Sequence, residues 1–224
     1  MNYSPLLISL KAATIATMIT FFLGIYGAYF TMKLKKFKGL ADSIFTLPLV
    51  LPPTIVGFFL LVVFGRNSLL GSFLLKYDIS LVFSSTATVI ASTVVAFPLM
   101  YRTARGAFEQ LDKNILYAAR TLGLKDHKIL WKIIIPNSLS GLVAGTILAF
   151  ARALGEFGAT IMIAGNIPGK TQTMAVAVYS AVQSGNRQLA YKWVFIMVVI
   201  SFASILLINK FENAKSYTLK KGDM

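Results

Sequence analysis

The stretch LDKNILYAARTLGLKDHKILWKIIIP, residues 111–136, decides how this chain reads. It is the longest polar interval in an otherwise apolar sequence, and it carries a helical rhythm of its own. Leu111, Ile115, Ala118, Ala119 and Leu122 recur at i, i+4, i+7, i+8 and i+11, the period of an amphipathic helix. Asp112 near the start and Arg120 near the end suit the helix dipole, and Gly123 can supply the left-handed residue that closes a helix. A second short helix over residues 125–131 then leads toward Pro136. Periodicity alone leaves two uses open. One is a helix lying in the headgroup layer with its Lys and Arg at the surface; the other is a docking helix for a partner.

On either side of this interval the chain is built for lipid. Its 224 residues are 56% hydrophobic and 13% charged, about half the charged share of an ordinary soluble domain, which is about 25%. Five segments are long and apolar enough to cross a bilayer: residues 12–32, 44–64, 79–100, 133–154 and 189–208. The net charge of +14, from 22 basic and 8 acidic residues, is distributed by side. Lys33, Lys35, Lys36 and Lys38 follow the first span. Arg102, Arg105, Lys113, Arg120, Lys125, Lys128 and Lys132 lie between the third and fourth, and Lys210, Lys215, Lys220 and Lys221 occupy the tail. With five crossings, all three clusters fall on one side. The positive-inside rule makes that side the cytoplasm, with the amino terminus outside and the carboxyl terminus inside. The charge therefore reports topology and argues against nucleic acid as a partner. No basic residue precedes Lys11, and the charges follow the first apolar run, an order that fits a retained span better than a signal peptide.

The same composition excludes much chemistry. There is no cysteine and one histidine, His127, so thiolate and multi-histidine metal sites are ruled out, and the reading assigns no catalytic residue, metal or cofactor. The stretch AGNIPGKTQT, residues 164–173, ends like a phosphate loop. However, Ala164 stands where that loop needs its first glycine, Gly165 comes one place late, and Pro168 has no N–H to offer a phosphate. Gly165, Pro168 and Gly169 read instead as an outer-loop turn before a short helical segment, residues 171–184, which is too short and polar to span alone.

Several residues inside the spans stand out. Pro48, Pro52 and Pro53 interrupt the second span and are expected to bend it, and Pro98 lies in the third. Gly141 and Gly145, with Ala149, make a small-residue face on the fourth, suited to close packing and to a dimer contact. Arg152 and Glu156 are one helical turn apart, about 24 Å along the span if it starts near Pro136, at about 1.5 Å per residue. Two uses stay open for them: a self-neutralising pair at the interface, or charges facing a pore or dimer seam. His127, between Asp126 and Lys128, is expected to be solvated or to touch a partner.

Residues 111–136 also carry a resemblance. Ala118-Ala119, then Gly123, then Ile133-x-Ile135-Pro136 are similar to the EAA loop of bacterial ABC importer permeases: Glu-Ala-Ala, three residues, Gly, nine residues, Ile-x-Leu-Pro. Tyr117 stands where that pattern has glutamate, and Ile135 where it has leucine. The stretches ARALGEFGATIMIAGNIPGKTQT, residues 151–173, and TLPLVLPPTIVGFFLLVVFGRNSLLG, residues 46–71, resemble molybdate permease subunits. Sulfate permeases share much of the EFG…AGNIP stretch, so both oxyanions stay open; the short chain and five-span layout favour molybdate.

The resemblance implies an all-α membrane protein of about five spans in a type I ABC importer (MetI-like) arrangement. It would be a single permease domain over residues 1–224, with a core at 5–210 and a cytoplasmic coupling segment at 111–132. Leu116, Tyr117, Ala118, Ala119, Arg120, Thr121, Leu122, Gly123 and Leu124 would couple to an ATPase, and Arg152, Glu156, Gly141 and Gly145 would face the pore or dimer seam. The implied partners are a second copy of the chain, two ATP-binding subunits, an extracytoplasmic oxyanion-binding protein and the lipid bilayer of a bacterial or archaeal cell. The alternative class is a membrane-embedded enzyme or structural membrane protein. An enzyme of that kind should place several carboxylates or histidines at depth, where this sequence offers only Arg152 and Glu156.

Overall fold

A computed structural model of the chain describes residues 3–34 and 36–222, with side chains through Leu207 and that of Lys210. Lys35, and the side chains of Lys215, Lys220 and Lys221, lie outside the described residues. Among the described residues every regular element is a helix. In order, the elements are α1 (Ser4–Lys33), α2 (Lys38–Val50), α3 (Pro53–Phe64), α4 (Leu69–Leu75), α5 (Ser85–Glu109), α6 (Lys113–Thr121) and α7 (Asp126–Ile129). After a π-helical turn, Leu130–Ile134, come α8 (Ile135–Asn137), α9 (Leu139–Leu154), α10 (Gly158–Ala164), α11 (Met174–Gln183) and α12 (Arg187–Gly222).

Three of these are long and apolar enough to cross a membrane alone: Ser4–Lys33, Ser85–Glu109 and Arg187–Leu207. The other two expected spans are bent pairs. α2 and α3 meet at 110°, and Asp126–Asn137 meets α9 at 80°. The first bend has a covalent cause. A residue before proline is pushed out of the helical region, and Leu51, before Pro52, is extended at ψ 140. Pro53 then opens α3, where its missing N–H costs nothing. The sequence predicted the bend but not its size. The fourth span also starts later than expected, at Leu139 instead of residue 133, because the chain turns at Ser138. The third runs from Ser85 to Glu109, shifted toward the carboxyl side of the expected 79–100.

α5 is the hub, packed against α1, α9, α10 and α2. Small residues make its seam with α1. Ala13, Ala16 and Ala28 on α1, and Ala96 and Ala104 on α5, are buried in one cluster. Where lipid tails are as apolar as leucine, close backbone approach and dispersion replace the hydrophobic effect as the force between helices. Hydroxyls in the seam bond to their own helix: Thr17 donates to the Ala13 carbonyl at 2.6 Å. The outward faces of α1 and α12 are greasy, with Phe22, Leu23, Phe30, Phe195, Val198 and Phe202 all about half exposed or more. In water such continuous patches would drive aggregation; against lipid tails they are the expected surface.

Candidate functional site

The segment after α5 is built in steps from its own residues. Asp112 caps α6, its carboxylate accepting the Asn114 N–H at 2.8 Å. At the other end Gly123 has φ +73, and the Leu124 and Gly123 N–H groups donate to the Ala119 and Arg120 carbonyls at 3.1 and 2.9 Å. That pair of bonds is the Schellman closure. A Cβ on Gly123 would meet nothing within 4 Å, so glycine is required there by backbone conformation and not by space.

The apolar face of α6 differs from the expected one. Ala119 is buried, with Leu111, Leu116 and Leu124 packed beside it, but Ile115, Ala118 and Leu122 point outward with Tyr117. Leu122 is 81% and Tyr117 57% exposed. The helix has two apolar stripes, and the periodicity merged them. The outer one, Ile115, Ala118 and Leu122, is uncovered within the described residues.

The segment is tied into the body at two places. At its near end, Lys33 Nζ meets Asp126 Oδ2 at 2.6 Å, the Tyr29 hydroxyl donates to the Asp126 carbonyl at 2.9 Å, and the Lys33 ammonium sits 4.4 Å from the Tyr29 ring centre. At its far end it runs through the π turn toward α9, with Ile129, Leu130 and Ile134 buried. The π turn precedes a residue that cannot donate, Pro136, and Asn137 Nδ2 donates back to the Ile133 carbonyl at 2.7 Å. His127 is exposed beside Trp131, 6.3 Å between ring centres. Further ion pairs crowd the same end of the molecule. Arg105 meets Asp42 and also Glu109, at 3.0 Å, and Lys38 meets Glu109 at 3.0 Å. The Tyr101 hydroxyl donates to Asp42 at 3.0 Å. Pairs this exposed contribute about 0–1 kcal/mol each, so they orient helix ends more than they stabilise them. Sequence reading took Lys33, Lys38 and Arg105 only as topology markers and did not single out Asp42, Glu109 or Tyr29. Their partners lie up to 97 residues away in sequence, where no local signal reaches.

A second polar feature lies inside the apolar body. α9 ends at Leu154, and Arg152 Nη1 meets Glu156 Oε2 at 2.7 Å. The Glu156 side chain is 1% exposed, and its Oε1 accepts the Ala159 N–H at 2.7 Å, capping α10. Arg152 remains 30% exposed. The break between α9 and α10 rests on the break between α2 and α3. A Cβ on Gly158 would come 3.0 Å from Pro53 Cβ, and one on Gly57 would come 2.7 Å from Ala159 Cα. Two discontinuous helices thus cross where they are interrupted. Gly141 and Gly145 give the close approach expected of them, and they give it to α5 of the same chain: Cβ atoms there would lie 2.6 Å from Ala107 Cβ and Thr103 Oγ1. Gly141 also borders a groove of about 450 Å³ shared with Arg102, Gln110 and Asn137. Beyond α10, Gly165 (φ +70) and Gly169 (φ +76) take left-handed conformations, with Pro168 between them, and the Thr171 hydroxyl accepts the Ile167 N–H at 3.0 Å. Among the described residues no group of three or more potential ligands could hold a metal.

Comparison with known proteins agrees with this arrangement. The family model described as binding-protein-dependent transport system inner membrane component matches residues 20–213. The putative molybdenum transport system permease protein YvgM of Bacillus subtilis (strain 168) is 43% identical over 210 residues, covering 93% of this chain and 92% of that protein. The molybdenum transport system permease protein ModB of Escherichia coli (strain K12) is 39% identical over 209 residues, covering 92% and 91%. Among solved structures, a chain of the MetNI methionine ABC transporter in an inward-facing conformation superposes with a TM-score of 0.67 at 16% identity, covering 92% of this chain and 94% of that one. At that identity the likeness speaks for the fold alone, and the fold is the MetI-type arrangement of helices.

Proposed function

The chain belongs to the binding-protein-dependent transport system inner membrane components, the non-catalytic membrane subunits of ABC transporters, and on that premise we propose that it is a molybdate permease, with tungstate as a second substrate. Two copies form the pathway. Two ATP-binding subunits sit below and each takes one α6 in a surface groove. A binding protein delivers the oxyanion from outside, where the amino terminus lies, and the carboxyl terminus is cytoplasmic. The whole chain acts as one permease unit. The relatives named for molybdenum transport, at about 40% identity over nearly the full length, support the choice of substrate.

The observation that carries the coupling role is the uncovered stripe of Ile115, Ala118 and Leu122, beside Tyr117, on a helix capped at both ends and followed by α7, which Asp126 ties to α1. An exposed apolar ridge flanked by Lys and Arg calls for a cover. A groove on an ATPase supplies one, and Leu116 to Leu124 is the length it grips. Tyr117 in place of a carboxylate means that contact is made by a ring and a hydroxyl, without an ion pair. In the membrane, Arg152 is the partly open cation of the α9–α10 break and attracts the passing dianion, while Glu156 stays committed to the α10 cap.

Uptake of labelled molybdate, tungstate and sulfate by the chain reconstituted with its ATPase and binding protein tests the proposal. ATP-dependent entry of molybdate and tungstate is expected. Entry of sulfate in their place would assign the chain to the other oxyanion. Entry of none, with an active ATPase, would remove the transport reading.

A further inference from the structure

A cleft of about 220 Å³ opens at the end of the molecule away from α6, between α1, the start of α5 and the loop after α10. Lys11, Lys170, Ser85 and Thr88 line it. Lys11 is 22 residues before Lys33 on one unbroken helix, about 33 Å away at about 1.5 Å per residue. That is close to the ~30 Å thickness of a bilayer's hydrocarbon core. With Lys33 at one boundary, Lys11 therefore lies at the other.

Among the described residues, no carboxylate is paired with either ammonium group. None of the ion pairs among the described residues includes Lys11 or Lys170. The loop that brings Lys170 to the cleft is fixed to both of its walls. The Ser85 hydroxyl donates to the Lys170 carbonyl at 2.9 Å, and Ser9, two residues before Lys11, accepts the Met174 N–H at 2.8 Å in a buried bond. Lys11 and Lys170 line one cleft, where like charges without a counter-ion repel, and the backbone on both sides of it is fixed by those bonds. A lysine at a membrane boundary ordinarily snorkels along a lipid-facing surface; here it faces a cleft with a second cation and two hydroxyl-bearing residues.

We infer that Lys11 and Lys170 form an oxyanion-binding station at this mouth of the permease, for a small tetrahedral dianion or the phosphate of a lipid headgroup. The inference rests on the permease reading and adds to it a place where the anion pauses before reaching Arg152. Binding there is weak, since a passing substrate must leave. The two cations raise the local concentration of the anion at the mouth.

The test uses the assembled transporter in vesicles of phosphatidylcholine, or of phosphatidylcholine with phosphatidylglycerol. A membrane-impermeant amine-acylating reagent is applied, and modification of Lys11 and Lys170 is read by peptide mass spectrometry. Molybdate added to phosphatidylcholine vesicles is expected to protect both lysines several-fold relative to chloride at equal ionic strength, identifying a free oxyanion as the ligand. Protection that requires phosphatidylglycerol and is indifferent to molybdate identifies a lipid phosphate instead. Equal acylation under all conditions, or protection only when binding protein is added without oxyanion, overturns the station. In parallel, Lys11→Gln with Lys170→Gln should slow uptake several-fold at limiting molybdate while binding-protein-stimulated ATP hydrolysis is kept, and Lys11→Arg with Lys170→Arg should retain uptake. Unchanged uptake by the glutamine pair also counts against the station. Absence of uptake by the unaltered assembly would instead strike the permease reading itself.

Discussion

Gly123 shows what a single residue decides. Its φ of +73 places it where an L side chain costs about 1–2 kcal/mol, and a β-branched one is an outlier. Gly123→Val is expected to leave membrane levels normal and to lower the ratio of oxyanion uptake to ATP hydrolysis several-fold. Gly123→Asn, which tolerates the left-handed region, should keep most of that ratio. A normal ratio in the valine variant would refute α6 as the coupling element. Arg152 is a second case, and here the structure changes the experiment. From sequence alone, the pair stays open between self-neutralisation and a pore-facing role, and Arg152→Ala would be read on uptake only. With Glu156 buried and paired to it, removing the cation strands a carboxylate, at a cost of up to about 3–5 kcal/mol. We therefore expect Arg152→Ala to lower both thermal stability and uptake. Adding Glu156→Gln should restore stability, since an amide oxygen still accepts the Ala159 N–H, and leave uptake slow. Recovery of both would make the pair merely structural. Asp112, Arg120 and Gly123 were legible because capping and closure are local. The Lys33–Asp126 contact was not, because nothing local joins residues 93 apart.

At the scale of elements, apolar length located three helices long enough to span and two bent pairs that pass the same test together, and proline chemistry located the bend between α2 and α3. The interruption between α9 and α10 was not legible. The apolar span was expected to end near residue 154, but nothing in hydropathy announces that the chain resumes as a separate helix after Gly155, Glu156 and Phe157, since α10 is only seven residues long. The two faces of α6 were confused for a similar reason. A period of 3.6 reveals that apolar residues recur, but not which of two adjacent stripes the rest of the fold covers. The crossing of α3 and α10 yields its own prediction. A side chain at Gly57 would press on Ala159 Cα at 2.7 Å and its carbonyl oxygen at 2.8 Å, and overpacking of this kind costs about 1–3 kcal/mol. Gly57→Val should unfold in detergent at a temperature several degrees lower. Gly39→Ala, where an added Cβ meets nothing within 4 Å, should unfold as the parent does. Equal midpoints would mean that the crossing is looser than drawn.

For the whole molecule, the sequence's most dependable statement is its charge asymmetry, and the absence of cysteine makes it easy to examine. Single cysteines at Asn166 and His127, both exposed, should react with an impermeant maleimide from opposite sides. The first is expected to react in intact cells and the second only after permeabilisation. The reverse pattern would invert the proposed orientation and move α6 out of reach of any ATP-driven partner. The small-residue face of Gly141 and Gly145, suited to close packing and to a dimer contact, lies against α5 of its own chain, and periodicity alone does not say which helix such a face meets. One consequence follows from the fastening of residues 111–138. Asp126 grips the foot of α1 while the π turn carries the same strand of chain into α9, and both of those helices lean on α5. Under the proposed coupling role, a push on this segment reaches α1 and α9 together, both of them packed on α5.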